Sequence, residues 1–136
     1  MAGSFSDFLE REMLDHIFPT GAAYTRPTNL FCALFTAVPS DTGGGTEVAT
    51  GGYARVTSDA WNVGTTSAGG TTTVDNSAAI TFATATAAWT TIEAFGIFDT
   101  STGGNLLAWG TVTTFKVVST DDIPSFSAGA LYITLD

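Results

Sequence analysis

Apolar residues recur every fourth position at the start of the chain, at Phe5, Leu9, Met13 and Ile17. That period stacks them into one ridge of an α-helix. The spacing predicts a helix over residues 4–18, capped by Ser4 or Ser6, with Asp7 and Glu10 near the positive end of its dipole. Phe8 flanks the ridge, and Leu14 and Phe18 lie further round. The apolar arc is wider than contact with a single surface requires. Such a helix is expected either to lie under a second layer or to dock on another chain. Pro19 and Gly21 end it.

Beyond Gly21 the period shortens to two. Leu30, Cys32 and Leu34 alternate with Phe31, Ala33 and Phe35, so both faces of this segment are apolar. A strand of that kind is buried on both sides, here between the helix and a sheet. Ser40–Gly45 reads as a loop, Tyr53–Val63 as a long strand and Gly64–Gly70 as a turn, with residues 71–75 pairing with the segment after them. Ala78, Ile80 and Phe82 mark a half-buried strand. Thr91–Asp99 and Leu106–Phe115 flank Thr100–Asn105 as a hairpin, and Leu131, Ile133 and Leu135 alternate with Tyr132, Thr134 and Asp136. Short, evenly spaced strands predict a mainly β fold: a β-sandwich, jelly-roll-like, over 28–136 with one N-terminal α-helix. The 136 residues form a single domain, 1–136, because a chain this short rarely divides its core.

Charge narrows the partners. Thirteen acids face four bases, Arg11, Arg26, Arg55 and Lys116, for a net charge of −9. Binding nucleic acid takes clustered cations that displace counterions, and none cluster here. An anionic membrane surface is disfavoured for the same reason, and no apolar run reaches the length of a membrane span. Only 12% of residues are charged, about half the usual share. The surface must therefore be built from Thr, Ser, Gly and Ala. That suits permanent contacts, which cost little to dehydrate, and it equally suits a Thr-rich sheet. Asp7, Glu10 and Glu12 stand where a signal peptide would be basic, so the product is expected to fold where it is made. Cys32 is the single cysteine and lies in an apolar run, where a thiol behaves as a small hydrophobe.

Candidate chemistry is sparse. His16 follows Glu12 by one helical turn, which allows a paired structural role. No Gly-X-Ser-X-Gly elbow supplies a nucleophile. Asp121-Asp122 reads as a turn cap before Pro124. Asp99–Asn105 spaces oxygen ligands as a calcium loop would, but it lacks the closing glutamate and reads as a hairpin turn. The paired glycines precede no Gly-Lys-Ser/Thr, so they form no phosphate loop. No metal set, no cofactor site and no catalytic residue is expected. Trp61, Trp89 and Trp109 could stack on sugars, although large aromatics usually fill cores.

Gly51-Gly52-Tyr53-Ala54-Arg55 is the most informative stretch. It stands in order with Phe5–Glu10, Leu14-Asp15-His16, Leu30–Pro39, Phe95–Asp99 and Leu131–Leu135. In that order these segments resemble a family of small tailed-phage virion structural proteins known as tail-fibre or head-decoration proteins. The resemblance spans the chain from first helix to last strand, and implies a non-enzymatic virion component. Two departures are the compact Pro19-Thr20-Gly21 turn and the loop before Gly51. Gly51-Gly52 lets the backbone turn sharply into Tyr53, and Arg55 is expected to make a charge-assisted contact within or between subunits.

Compactness, without shaft or stalk, favours a capsid-decorating (cement) protein on the outer surface of the virion. It would be made in the host cytoplasm and bind the major capsid protein and copies of itself. The alternative is a tail-fibre or tail-tip subunit whose loops or tryptophans meet a host-surface receptor or glycan. A small hydrolase or lectin-like module is a third class, with no motif behind it. Interface candidates are Phe5, Phe8, Leu9, Arg11, Met13, Tyr53 and Arg55.

Overall fold

A computed structural model describes residues 2–18, 20–64 and 72–135. Pro19 and most of the turn expected over 64–70 lie outside the described residues. In chain order the elements are β1 (Ala2–Phe5), α1 (Asp7–Ile17), β2 (Phe31–Ala37), β3 (Thr46–Glu47), β4 (Val56–Thr57), β5 (Trp61–Val63), β6 (Thr72–Asn76), β7 (Ile80–Thr81), β8 (Thr90–Phe98), β9 (Leu106–Val118), β10 (Ser125–Phe126) and β11 (Tyr132–Leu135). The fold is mainly β with one helix near the N-terminus, as the alternation predicts.

The helix begins at Asp7 because the residues before it pair as a strand. Ser6 caps it, accepting the Leu9 amide proton at 3.4 Å. Phe5 is therefore no part of the helical ridge. It sits in β1, half-buried against the main core. β1 lies between β9 and β11, antiparallel to the first and parallel to the second. Gly3 permits this insertion, since a Cβ there would stand 2.7 Å from the Trp109 carbonyl oxygen and 3.2 Å from the Phe95 ring.

The long sheet runs β3-β2-β8-β9-β1-β11-β6-β5, with β4 also on β2, and β7 and β10 form a separate ribbon. The expected strand Tyr53–Val63 is broken, and the break closes the fold. Val56–Thr57 pairs with β2 whereas Trp61–Val63 pairs with β6, far along the sheet. The link between them reaches at most about 15 Å. A flat sheet would hold β2 and β6 about 24 Å apart. The sheet is therefore rolled, with its ends drawn together around the core. Layering of this kind is compatible with a sandwich.

Rolling encloses a main cluster built on Cys32, Leu34, Phe82, Trp89, Ile92, Phe95, Ile97, Val118, Leu131 and Ile133. Tyr53, Phe82 and Trp89 pack ring to ring, Tyr53 edge-on to Trp89 at 5.3 Å. Ala33, Phe35, Ala94, Phe98 and Leu106 form a second cluster on the opposite face of β2 and β8. β2 is thus buried on both faces, as its unbroken apolar run predicts. Register shifts between Ile92 and Ala94, and between Ile97 and Phe98, change which residues of the β8–β9 hairpin face each cluster.

Buried Asn76 fastens the C-terminal strands. Its amide nitrogen donates to the carbonyls of Ala78 (2.8 Å) and Ser127 (2.9 Å), and its side-chain oxygen accepts from the Leu131 amide at 2.9 Å. Both its donors and its carbonyl oxygen are engaged in holding 76–78 to 127–131.

Candidate functional site

Among the described residues Arg55 is the best-connected polar side chain. Gly51 and Gly52, at φ of 65° and 74°, turn the chain toward it. The Gly51 carbonyl accepts from the Trp89 indole at 2.9 Å, and a Cβ on Gly51 would meet the Ala87 carbonyl oxygen at 2.4 Å. Past this turn, Arg55 grips Glu47 with a two-pronged fork, Nε to Oε1 at 2.8 Å and Nη2 to Oε2 at 2.7 Å. Its Nη1 donates to the carbonyls of Thr100 (3.0 Å) and Gly103 (2.8 Å). The guanidinium lies 3.5 Å above the Phe98 ring. Tyr53 completes the cluster, donating to Glu47 at 2.9 Å and accepting from the Leu34 amide at 3.0 Å. Burial, with the Glu47 carboxylate beside it, pushes the Tyr53 phenol up. Arg55 therefore makes its charge-assisted contact within the subunit, tying the β8–β9 turn to β3.

This lock also occupies the loop that resembles a calcium site. Asp99 accepts from the Asn105 amide at 2.7 Å and the Asn105 side chain at 2.8 Å, while the Arg55 cation takes carbonyls of the same turn. Among the described residues no group of His, Cys, Asp or Glu could hold a metal ion.

Helix α1 hangs from the sheet by its first turn. The Ser6 hydroxyl donates to the Leu106 carbonyl, and the Ser6 and Asp7 amides donate to the carbonyls of Leu107 (2.9 Å) and Asp41 (3.0 Å). Asp41 also accepts from the Trp109 indole at 3.0 Å. Phe8 lines a groove of about 480 Å³ beside Phe35, Glu47, Phe98 and Leu106. Leu9 and Met13 are half-buried, and no residue of the helix is fully buried. The wide apolar arc is left over at the far end, where Leu14, Ile17 and Phe18 are 58%, 66% and 57% exposed. Phe5, Phe8, Leu9 and Met13 thus face inward to differing degrees, and the open helix surface is carried by the residues further round. Arg11 is solvent-exposed beside Glu12 at 3.5 Å.

The other candidates resolve simply. Glu12 faces Arg11 and lies near Tyr24, whose phenol is raised by burial and by Asp99 and Glu12, while His16 is exposed. Asp122 accepts from the Ser119 amide at 2.8 Å and caps the turn before Pro124. Cys32 is fully buried, and burial pushes its thiol up. Trp89 is core and Trp61 packs against the same cluster, whereas Trp109 joins the second. The three indoles form no shared platform.

Sequence reasoning missed Asp41 and Asn76, which have partners remote in the chain, and also Glu47 and the exposed apolar side chains of Phe115, Val117 and Ile123. The pair Tyr53 and Arg55 could have flagged Glu47 by charge alone, as an acid close by in sequence.

Comparison with curated proteins finds no match. A model of the family described as podophage GP4 fiber I protein gp80 matches residues 4–134, nearly the whole chain. The chain belongs to that family, and so to the small structural proteins of phage virions.

Proposed function

We propose that this protein is a non-enzymatic subunit of a fibre-type appendage on the phage virion. The observation that carries the reading is the fibre I family match over residues 4–134. The geometry supports it: Arg55, Glu47, Asp99 and Asn76 are engaged in internal bonds that stiffen turns, and among the described residues no three His, Cys, Asp or Glu gather as a metal site would need. Its surroundings on the particle are other virion proteins and copies of itself, with a host-surface receptor or glycan reached through exposed loops.

Capsid decoration is the second reading. It rests on compactness, since α1 spans 11 residues and the strands form one rolled sheet with a short ribbon. Either placement needs an attachment surface, and the exposed helix end supplies one at Leu14, Ile17 and Phe18. Substituting Leu14→Asp and Ile17→Asp is expected to leave folding intact and to abolish co-sedimentation with particles lacking the protein. Gold-labelled antibody on intact virions tests the placement itself. Label at the tail, with a few to a few dozen copies per particle by densitometry, supports the fibre subunit. Uniform label over the head, with hundreds of copies, overturns it in favour of decoration.

A further inference from the structure

On the outer face of the sheet, β5, β6 and β11 bring three side chains into one row. Asn62 pairs with Asp75, and Asp75 pairs with Tyr132. Directly opposed residues of antiparallel strands project to the same face. Their chain neighbours identify that face, because Ile133 is buried in the main cluster and Val74 and Trp61 pack against it. The row therefore points away from the core, with Asn62 exposed, Asp75 half-buried and Tyr132 38% exposed. Beside Tyr132 on β1 stands Ala2, whose methyl group covers little of the phenol ring. Among the described residues no hydrogen bond or ion pair engages the Asn62 amide, the Asp75 carboxylate or the Tyr132 hydroxyl. Arg55, Asp99 and Asn76 are tied internally. This row is not.

We propose that the row Asn62-Asp75-Tyr132 is a binding subsite for a neutral saccharide of a host-surface glycan. Each group supplies a contact that a pyranose ring uses. The Tyr132 ring offers an apolar surface to the C–H face of the sugar, with its hydroxyl as a polar tip. Asp75 accepts from two adjacent sugar hydroxyls, while Asn62 donates to one oxygen and accepts from another hydroxyl. Opposed Cβ atoms lie about 5 Å apart, so the row spans about 10 Å, room for one or two linked rings. Charge narrows the class further. Asp75 and a net charge of −9 disfavour sugars that carry a carboxylate, sulfate or phosphate. A metal ion fits the row poorly, since one carboxylate and one amide leave most of its coordination sphere unfilled. The inference deepens the fibre reading and rests on it for the glycan's place on the host, and it puts the contact on a sheet face rather than on loops.

The test titrates the ¹⁵N-labelled full chain with methyl glycosides of neutral hexoses, 6-deoxyhexoses and N-acetylhexosamines, with glucuronic acid as the acidic control. Each is taken to about 50 mM, which covers the millimolar affinity that three side chains on an open face support. At least one neutral glycoside should shift the amides of residues 61–63, 74–76 and 131–133 saturably, and glucuronic acid should not. Tyr132→Ala and Asp75→Ala should each weaken that binding at least tenfold with an unchanged unfolding midpoint. Asp75→Asn, which keeps the shape, should weaken it several-fold. Absence of a saturable shift with every neutral glycoside overturns the proposal, as do shifts confined to other regions or binding untouched by both alanine substitutions. If no glycoside binds and Tyr132→Ala instead impairs co-sedimentation with particles, the row contacts a virion protein and the saccharide subsite falls. Antibody label over the head would remove the fibre reading without altering the titration, so the two fail separately.

Discussion

Replacing Arg55 by methionine isolates the energy of the lock, because methionine keeps an unbranched apolar stem while removing the fork and the charge. The Arg55 side chain is 7% exposed and Glu47 is 26% exposed. Breaking a buried pair by removing one partner costs about 3–5 kcal/mol. Water reaches Glu47, and Tyr53 continues to donate to it, so the low end applies, at about 3 kcal/mol. The Thr100 and Gly103 carbonyls lie at the surface and regain water, adding at most about 1 kcal/mol. Lysine at the same position keeps a cation near Phe98 but cannot form the fork, and should cost about 1–2 kcal/mol. In urea, with a slope of about 2 kcal/mol/M, the methionine variant should lose about 1.5 M in midpoint. A cycle with Glu47→Gln should show coupling of about 2 kcal/mol. Amide exchange should accelerate first over 99–105, the turn that Arg55 holds. A loss below 1 kcal/mol, or additivity in the cycle, refutes the lock. A loss that grows with protein concentration would instead make Arg55 an intersubunit residue.

Asn76→Ala strands the Ala78 and Ser127 carbonyls and the Leu131 amide, and should cost about 3–5 kcal/mol by urea unfolding. Gly51→Ala forces a Cβ against the Ala87 carbonyl oxygen at a positive φ, and should cost at least about 2 kcal/mol by the same assay. Cys32 and Tyr53 are held protonated by burial, while the unfolded thiol and phenol ionise near 9.0 and 10.0. Both folded values are raised, so this stability is fully present below pH 9 and lost as pH rises. Urea midpoints should hold from pH 7 to 8.5 and fall beyond, by up to about 1.4 kcal/mol per pH unit for each group. Cys32→Ala should flatten the onset of that fall.

What the sequence revealed depended on whether an element carried its own period. The helix, the two-faced β2 and the β8–β9 hairpin all announce themselves by local alternation, and each lies where the alternation puts it. β1 does not, because Ala2–Phe5 offers a glycine and a serine and gains its place from partners across the chain. Periodicity therefore assigns its Phe5 to the helix. Tyr53–Val63 departs from expectation for the opposite reason. Its residues suit a strand, but pairing with β2 ends where the Ser58 amide donates to the Leu30 carbonyl at 2.8 Å. Asp59 accepts the Leu30 amide proton there, and from Trp61 the chain pairs at another edge. At the candidate site, Tyr53 and Arg55 were legible as residues, whereas their partners Thr100 and Gly103 required the rolled sheet. The bowed segment of β9 at 112–115, where Ile92 faces Lys116 while Ala94 faces Thr111, is invisible to periodicity, since a register shift exists only relative to another strand.

These features meet in β9. At its Leu106 end it receives the Ser6 and Asp7 anchors of the helix through residues 106–107 and the Asp41 turn. At its Val118 end it carries the bowed segment and lines a groove of about 720 Å³. Twelve residue steps separate those ends, which at strand rise is about 40 Å, less where the bow shortens it. The helix anchor and the groove are therefore at opposite ends of β9, which pairs with β1 at the anchored end and with β8 on either side of the bowed segment 112–115. Paired strands, rather than loops, thus tie the helix anchor to the body of the subunit. The polar side chains that matter most, Arg55 and Asn76, likewise fasten turns and strands in place.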